Sequence, residues 1–182
     1  MTFNINTPTK ITFIRVLAIP FLMWMISYGP GNTVCSIIAL VIFLAGSFTD
    51  WLDGFLARKN NQITNLGKFA DQLADKAFIS SALCVLVYTQ QVSFWLLALI
   101  LFRDTAVSGI RMLAASKGDV IPANFWGKSK TVVQMVYVTA VLLGASVGWP
   151  NSLTLTVFAW ITAFMTVMSG LTYFKGATKY LS

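Results

Sequence analysis

Apolar residues in this chain come in six long runs, over residues 11–28, 33–58, 67–90, 92–117, 130–149 and 153–175. Short polar or turn-forming breaks separate them: Gly29-Pro30-Gly31-Asn32, residues 60–64, the Gln90/Gln91 pair, residues 118–124, and Pro150-Asn151. At ~1.5 Å per residue, each run is long enough as a helix to cross the ~30 Å hydrocarbon layer of a bilayer. The pattern predicts an all-α integral membrane protein with six transmembrane helices. No linker, repeat or low-complexity stretch divides it, so residues 1–182 read as a single membrane domain. The first run follows Lys10 and continues to Tyr28 without a small-x-small cleavage site. It is expected to be a retained span, not a signal peptide.

Composition strengthens this reading. The chain is 57% apolar and 14% aromatic, and only 10% of its residues are charged, against ~25% in an average soluble domain. A soluble domain of this size could not hide so much apolar surface. The formal charge is +7, but the basic residues are spread along the chain between apolar runs. That distribution suits a membrane surface, not nucleic acid. Histidine is absent, which removes the commonest general base and the commonest transition-metal ligand. Cys35 and Cys84 lie inside apolar runs at no metal-ligand spacing and read as small packing residues.

The charges also predict topology. The first, third and fifth breaks carry no Lys or Arg, and all 13 basic residues fall on the opposite side. The six acidic residues, Asp50, Asp53, Asp71, Asp75, Asp104 and Asp119, share that side. The positive-inside rule then puts both termini and the basic loops in the cytoplasm. Runs two, three and four have polar but helix-compatible cytoplasmic ends. Such ends at membrane depth imply a polar chamber open to the cytoplasm.

Four of the aspartates are gathered in one stretch. On a helix, Asp50, Asp53, Gly54 and Ala57 share one face, with Arg58 at its edge. Gly67, Asp71 and Asp75 follow an i, i+4, i+8 row on the next helix. A short connection makes the two helices antiparallel neighbours, so two carboxylates from each can converge. Hard oxygen donors without His or thiolate point to Mg²⁺ or Mn²⁺, as one or two ions. Arg58 is placed to neutralise a phosphate beside the metal. Interfacial pairing of the aspartates with Lys59, Lys68 and Lys76 is the plain alternative, and it explains one carboxylate far better than four.

A second cluster comprises Arg103, Asp104, Ser108, Arg111, Lys128, Lys130 and Thr131. A pair between Asp104 and Arg111 at i+7, or snorkelling arginines, would account for it structurally. One carboxylate among four cations leaves surplus positive charge, which suits a phosphate better than inositol, choline or serine.

The spacing D-x2-D-G-x2-A-R-x8-G-x3-D-x3-D, from Asp50 to Asp75, resembles the signature of the CDP-alcohol phosphatidyltransferases at every specified position. The resemblance implies an enzyme that displaces CMP from a CDP-linked lipid with an alcohol. It implies that Asp50, Asp53 and Asp71 bind metal and the CDP diphosphate, and that Asp75 binds metal or acts as the catalytic base. Gly54, Ala57, Arg58 and Gly67 would contact the CDP moiety. Residues 4–15, 102–111 and 127–131 look like the phosphatidylglycerophosphate synthase branch of that family. This implies CDP-diacylglycerol as donor and sn-glycerol 3-phosphate as acceptor, giving phosphatidylglycerol phosphate and CMP. Arg103, Arg111, Lys128 and Lys130 become the acceptor-phosphate candidates. The chain departs from that branch where Gln72 follows Asp71 and where Asp104 follows Arg103. The alternatives are a transferase of the same family with phosphatidylglycerol, inositol phosphate or serine as acceptor, and, more remotely, a membrane cation carrier. The expected location is the cytoplasmic membrane, multi-pass, with the active site facing the cytoplasm. The apolar outer faces allow a homodimer without demanding one.

Overall fold

The computed structural model describes residues 7–59, 65–117 and 124–181, with side chains described over 13–49, 73–117 and 124–176. Among the described residues the structure is all helix: α1 (Thr7–Tyr28), α2 (Thr33–Lys59), α3 (Asn65–Tyr88), α4 (Phe94–Ser116), α5 (Phe125–Val147) and α6 (Ser152–Leu181). The helices follow the apolar runs but extend about a turn or more beyond them at three ends: α1 begins at Thr7, ahead of residue 11, α6 continues to Leu181, past residue 175, and α5 starts early. The sequence places the fifth element from residue 130, but α5 begins at Phe125. Its polar first turns are helical because Lys130 and Gln134 point inward and are buried, so they do not mark a helix end.

Three helices start on an asparagine. Asn32 Oδ1 accepts the N–H groups of Val34 and Cys35 at 3.1 and 3.3 Å. Asn124 Oδ1 accepts Gly127 N–H at 2.7 Å, and Asn151 Oδ1 accepts Thr154 N–H at 3.0 Å. Each satisfies a donor that the first helical turn leaves without a partner. The end of α3 closes differently. Gln91 N–H donates to Leu86 O at 2.9 Å and Gln90 N–H to Val87 O at 3.0 Å, with Gln90 at φ 59°. This is a Schellman ending built on a non-glycine residue in the left-handed region.

The helices fall into two compact units. The first holds α1, α2, α3 and α5 from Leu142 onward. Within it α1 packs on both α2 and α3. Leu22 and Ile26 of α1, Ala39 and Phe43 of α2, and Phe78, Ala82, Leu83 and Leu86 of α3 are buried. Phe43 and Phe78 stack at 5.6 Å between centroids and 13° between planes. Gly46, one turn beyond Phe43, makes room for the Phe78 ring.

A Cβ on Gly46 would stand 2.5 Å from Phe78 Cζ. The ring cannot swing aside without breaking its stack on Phe43. Gly46→Ala is therefore expected to destabilise by about 1–3 kcal/mol, the usual range for overpacking. The readout is the thermal unfolding midpoint in detergent, and Phe78→Leu in the same chain should recover most of the loss. An unchanged midpoint in Gly46→Ala would mean that α2 and α3 do not meet there.

The second unit holds α4, α5 up to Val141, and α6. Here α4 packs on α6. The buried face of α4 is aliphatic: Leu97, Ile100, Val107, Ile110 and Ala114. That of α6 is small and hydroxylic: Thr162, Thr166 and Ser169. Thr162 and Thr166 donate to the carbonyls of Phe158 and Thr162 at 2.8 and 2.7 Å. Their hydroxyls are thereby satisfied within the helix, which leaves a narrow face that admits close packing. Large apolar side chains are exposed on the other faces, among them Leu17, Phe21 and Trp24 of α1 and Val157, Trp160 and Phe164 of α6. The stretches Phe125–Val147 and Ser152–Gly176 are long and apolar enough to cross a membrane.

Candidate active site

The acidic pattern is carried by two helices of the first unit. α2 runs through Asp50, Asp53, Gly54, Ala57 and Arg58 before ending at Lys59, and α3 begins at Asn65, ahead of Gly67, Asp71 and Asp75. Both halves of the pattern are therefore helical, and the i, i+3 and i, i+4 spacings that align them apply. The side chains of Asp50, Asp53, Gly54, Ala57, Arg58, Gly67 and Asp71 lie outside the described residues. Asp75 lies within them and is half-buried. Three residues after it, on the same helix, comes Phe78, stacked on Phe43. Gly46 stands one turn before Asp50. Apolar packing residues thus lie about one turn from Asp50 along α2 and from Asp75 along α3.

The basic residues are set in the second unit, and here the side chains are explicit. The Asp104 carboxylate sits between two cations from two helices. Arg103 Nη1 donates to Asp104 Oδ1 at 2.9 Å. Lys130 Nζ, from α5, donates to Oδ1 at 2.9 Å and to Oδ2 at 2.8 Å. Lys130 is 3% exposed, and the Asp104 side chain 16%. A lysine this deep needs a counter-charge, and Asp104 supplies it. Beside the Arg111 that the sequence offers as a partner, Asp104 pairs with Arg103 and Lys130.

Arg103 is gripped from a third helix as well. Its Nη2 donates to Ser169 Oγ of α6. Its guanidinium lies 5.4 Å from the centroid of the Tyr173 ring, within cation–π range. Gly170 of α6 also lies close to Arg103: a Cβ there would stand 3.5 Å from its Cγ, in ordinary contact. Tyr173 then links to α5: its hydroxyl accepts Asn124 N–H at 3.3 Å. Asn124 Nδ2 donates to Thr172 Oγ1 at 3.1 Å. Ser108 Oγ donates back to the Asp104 carbonyl at 2.6 Å. Arg111 is half-buried, one turn further along α4, and Lys128 is exposed near the start of α5. The four predicted cations thus belong to one unit, and Arg103 and Lys130 pair with Asp104 there.

The family model for CDP-alcohol phosphatidyltransferase matches residues 5–172. The chain belongs to the CDP-alcohol phosphatidyltransferase family. It is similar to the CDP-diacylglycerol–glycerol-3-phosphate 3-phosphatidyltransferase of Bacillus subtilis, at 39% identity over 93% of this chain and 94% of the relative. It resembles the enzymes of the same name from Haemophilus influenzae, at 35% identity over 97% and 95%, and Rickettsia bellii, at 31% over 99% of each. This phosphatidyltransferase is thus matched along nearly its whole length, acidic and basic clusters included. Its apolar helices and its family together mark it as a membrane protein.

Several residues of the transferase have no site role in the sequence reading. Ser169, Tyr173 and Asn124 brace the basic cluster, yet each lies in a stretch with no unusual local pattern. Arg15, on α1, is 3% exposed in the unit that carries the acidic helices. An arginine so deep in an apolar run is itself a signal, and it was available from the sequence.

Proposed function

We propose that this enzyme transfers the phosphatidyl group of CDP-diacylglycerol to sn-glycerol 3-phosphate, releasing CMP and forming phosphatidylglycerol phosphate. The observation that carries the reading is the near full-length match to relatives named for that reaction.

The chemistry of the residues supports it. Asp50, Asp53, Asp71 and Asp75 form an all-carboxylate donor set, which fits Mg²⁺ or Mn²⁺. A divalent cation held there would draw charge from the diphosphate and make CMP a better leaving group. Gly54, Ala57 and Gly67 leave room for the CDP moiety, and Arg58 balances its phosphate charge. Asp75 orients the attacking hydroxyl and takes its proton as the new P–O bond forms and the bond to CMP breaks. No histidine is needed for this step. Arg103, Arg111, Lys128 and Lys130 bind the acceptor's phosphate, and their excess of positive charge over Asp104 favours a phosphomonoester dianion.

The same reading carries a topology: six spans, both termini in the cytoplasm and catalysis at the cytoplasmic face of the inner membrane. The complete segregation of the 13 basic residues supports it. A homodimer is compatible with the exposed apolar faces.

The deciding experiment is CMP release by the purified protein in detergent with CDP-diacylglycerol and Mg²⁺ or Mn²⁺. Glycerol 3-phosphate, inositol phosphate, serine and phosphatidylglycerol are offered separately. Metal-dependent release with glycerol 3-phosphate alone is expected. Release with another alcohol would overturn the acceptor and keep the donor chemistry. Within this assay, Arg111→Ala should raise KM for glycerol 3-phosphate about tenfold while KM for the donor stays within about twofold. Equal rises in both would make Arg111 a structural residue.

A further inference from the structure

We propose that Asp104 is a positioning residue: it holds Arg103 and Lys130 as one prearranged anion-binding pair. This rests on the reading of those two cations as ligands of the acceptor's phosphate.

The geometry argues for a device and against a casual ion pair. Arg103 and Lys130 come from different helices and carry like charge, so left alone they would repel and wander. The Asp104 carboxylate draws both to one point. Its Oδ1 accepts from both cations at 2.9 Å, and its Oδ2 accepts from Lys130 at 2.8 Å. The three charged groups sum to one positive charge.

The pairing does not exhaust the donors of Arg103. A guanidinium has five N–H groups. Arg103 Nη1 goes to Asp104 and Nη2 to Ser169, while among the described residues no partner reaches the buried Nε. The braced pair therefore still carries N–H groups and net positive charge. The brace itself is rigid. Ser169 and the Tyr173 ring hold Arg103 from α6, and Ser108 ties to the Asp104 carbonyl. A site held in this way binds an anion without first ordering two long side chains.

Chain length matters to the arrangement. Asp104 adjoins Arg103 in sequence and is short, so its carboxylate stays close to α4 and draws Lys130 in. A glutamate here would move the meeting point outward by one methylene.

The test compares Asp104→Asn, Asp104→Glu and Lys130→Gln in CMP release, with thermal unfolding as a check on folding. Asp104→Asn should raise KM for glycerol 3-phosphate about tenfold or more, with KM for CDP-diacylglycerol within about twofold and kcat changed less than KM. Asp104→Glu keeps the charge and should rescue most of the affinity, with KM a few-fold above the wild type. A uniform rise in both KM values for Asp104→Asn, or a fall in kcat alone, would overturn the positioning role. If Asp104→Asn does not fold, Asp104→Glu decides: an unmoved KM for glycerol 3-phosphate overturns the proposal, and a selective few-fold rise upholds it. Lys130→Gln separates the two levels of inference. If it leaves KM for glycerol 3-phosphate at the wild-type value, the acceptor-site reading itself is wrong. If it raises that KM while Asp104→Asn does not, only the positioning role falls.

Discussion

Asp75→Asn should lower turnover by at least about 1000-fold, in the upper part of the range expected when a positioned general base is lost. The amide is isosteric with the carboxylate, so helix α3 and the Phe43–Phe78 stack beyond it need not change. The amide cannot take a proton from the acceptor hydroxyl, and it is a poor ligand for a hard divalent cation. Both proposed roles of Asp75 are lost at once, which is why the expected effect is so large. CMP release at saturating donor, acceptor and Mg²⁺ gives the rate, and the unfolding midpoint shows that the fold survives. Asp75→Glu distinguishes the roles: a few per cent of residual turnover with a changed metal requirement would favour ligation over proton transfer. Turnover near the wild-type value in Asp75→Asn would remove Asp75 from the chemistry.

Arg103→Ala should produce the second large effect, on stability. The substitution removes the ion pair to Asp104, the bond to Ser169 and the stacking over Tyr173. A hydrogen bond to a charged group contributes about 1.5–3 kcal/mol, and a cation–π contact about 0.5–2 kcal/mol. Against this, the buried Nε loses its own desolvation cost of about 1–3 kcal/mol. Asp104 also keeps Lys130 as a partner. The balance is a net loss of about 2–4 kcal/mol, since the removed contacts share partners and do not add fully. Thermal unfolding in detergent measures it. Arg103→Lys should recover little of the loss. A single ammonium cannot reach Asp104 and Ser169 in opposite directions while stacking on Tyr173. Wild-type stability in Arg103→Ala would mean that this junction of α4 and α6 is not made as drawn.

The helices were largely legible before any coordinates, because long apolar runs with polar punctuation leave few other choices. The early start of α5 is instructive. Residues 125–129 fall outside the fifth apolar run, which begins at residue 130. They are helical because Lys130 and Gln134 turn into the protein, where Asp104 receives the lysine. The three asparagine caps were present as Asn32, Asn124 and Asn151 but were read only as breaks. Their role as side-chain acceptors at the first turn was available from the same residues. Gly46 drew no attention, since a glycine in an apolar run has several uses, and only the Phe78 ring across from it shows which one applies.

What the sequence determined alone is what local order controls. Hydrophobic runs set the helices. The i, i+3 and i, i+4 spacing of the aspartates and glycines set a pattern specific enough to place the chain in its family. Both follow from the period of the helix, which any stretch of chain carries within itself. The tertiary structure decided the partners: Lys130 with Asp104 across 26 residues, and Arg103 with Ser169 across 66. Four cations and one carboxylate can pair in several ways at similar local cost. Only the packing of α4 on α6, with Lys130 buried on α5, leaves one arrangement in which each of these buried charges has a counterpart.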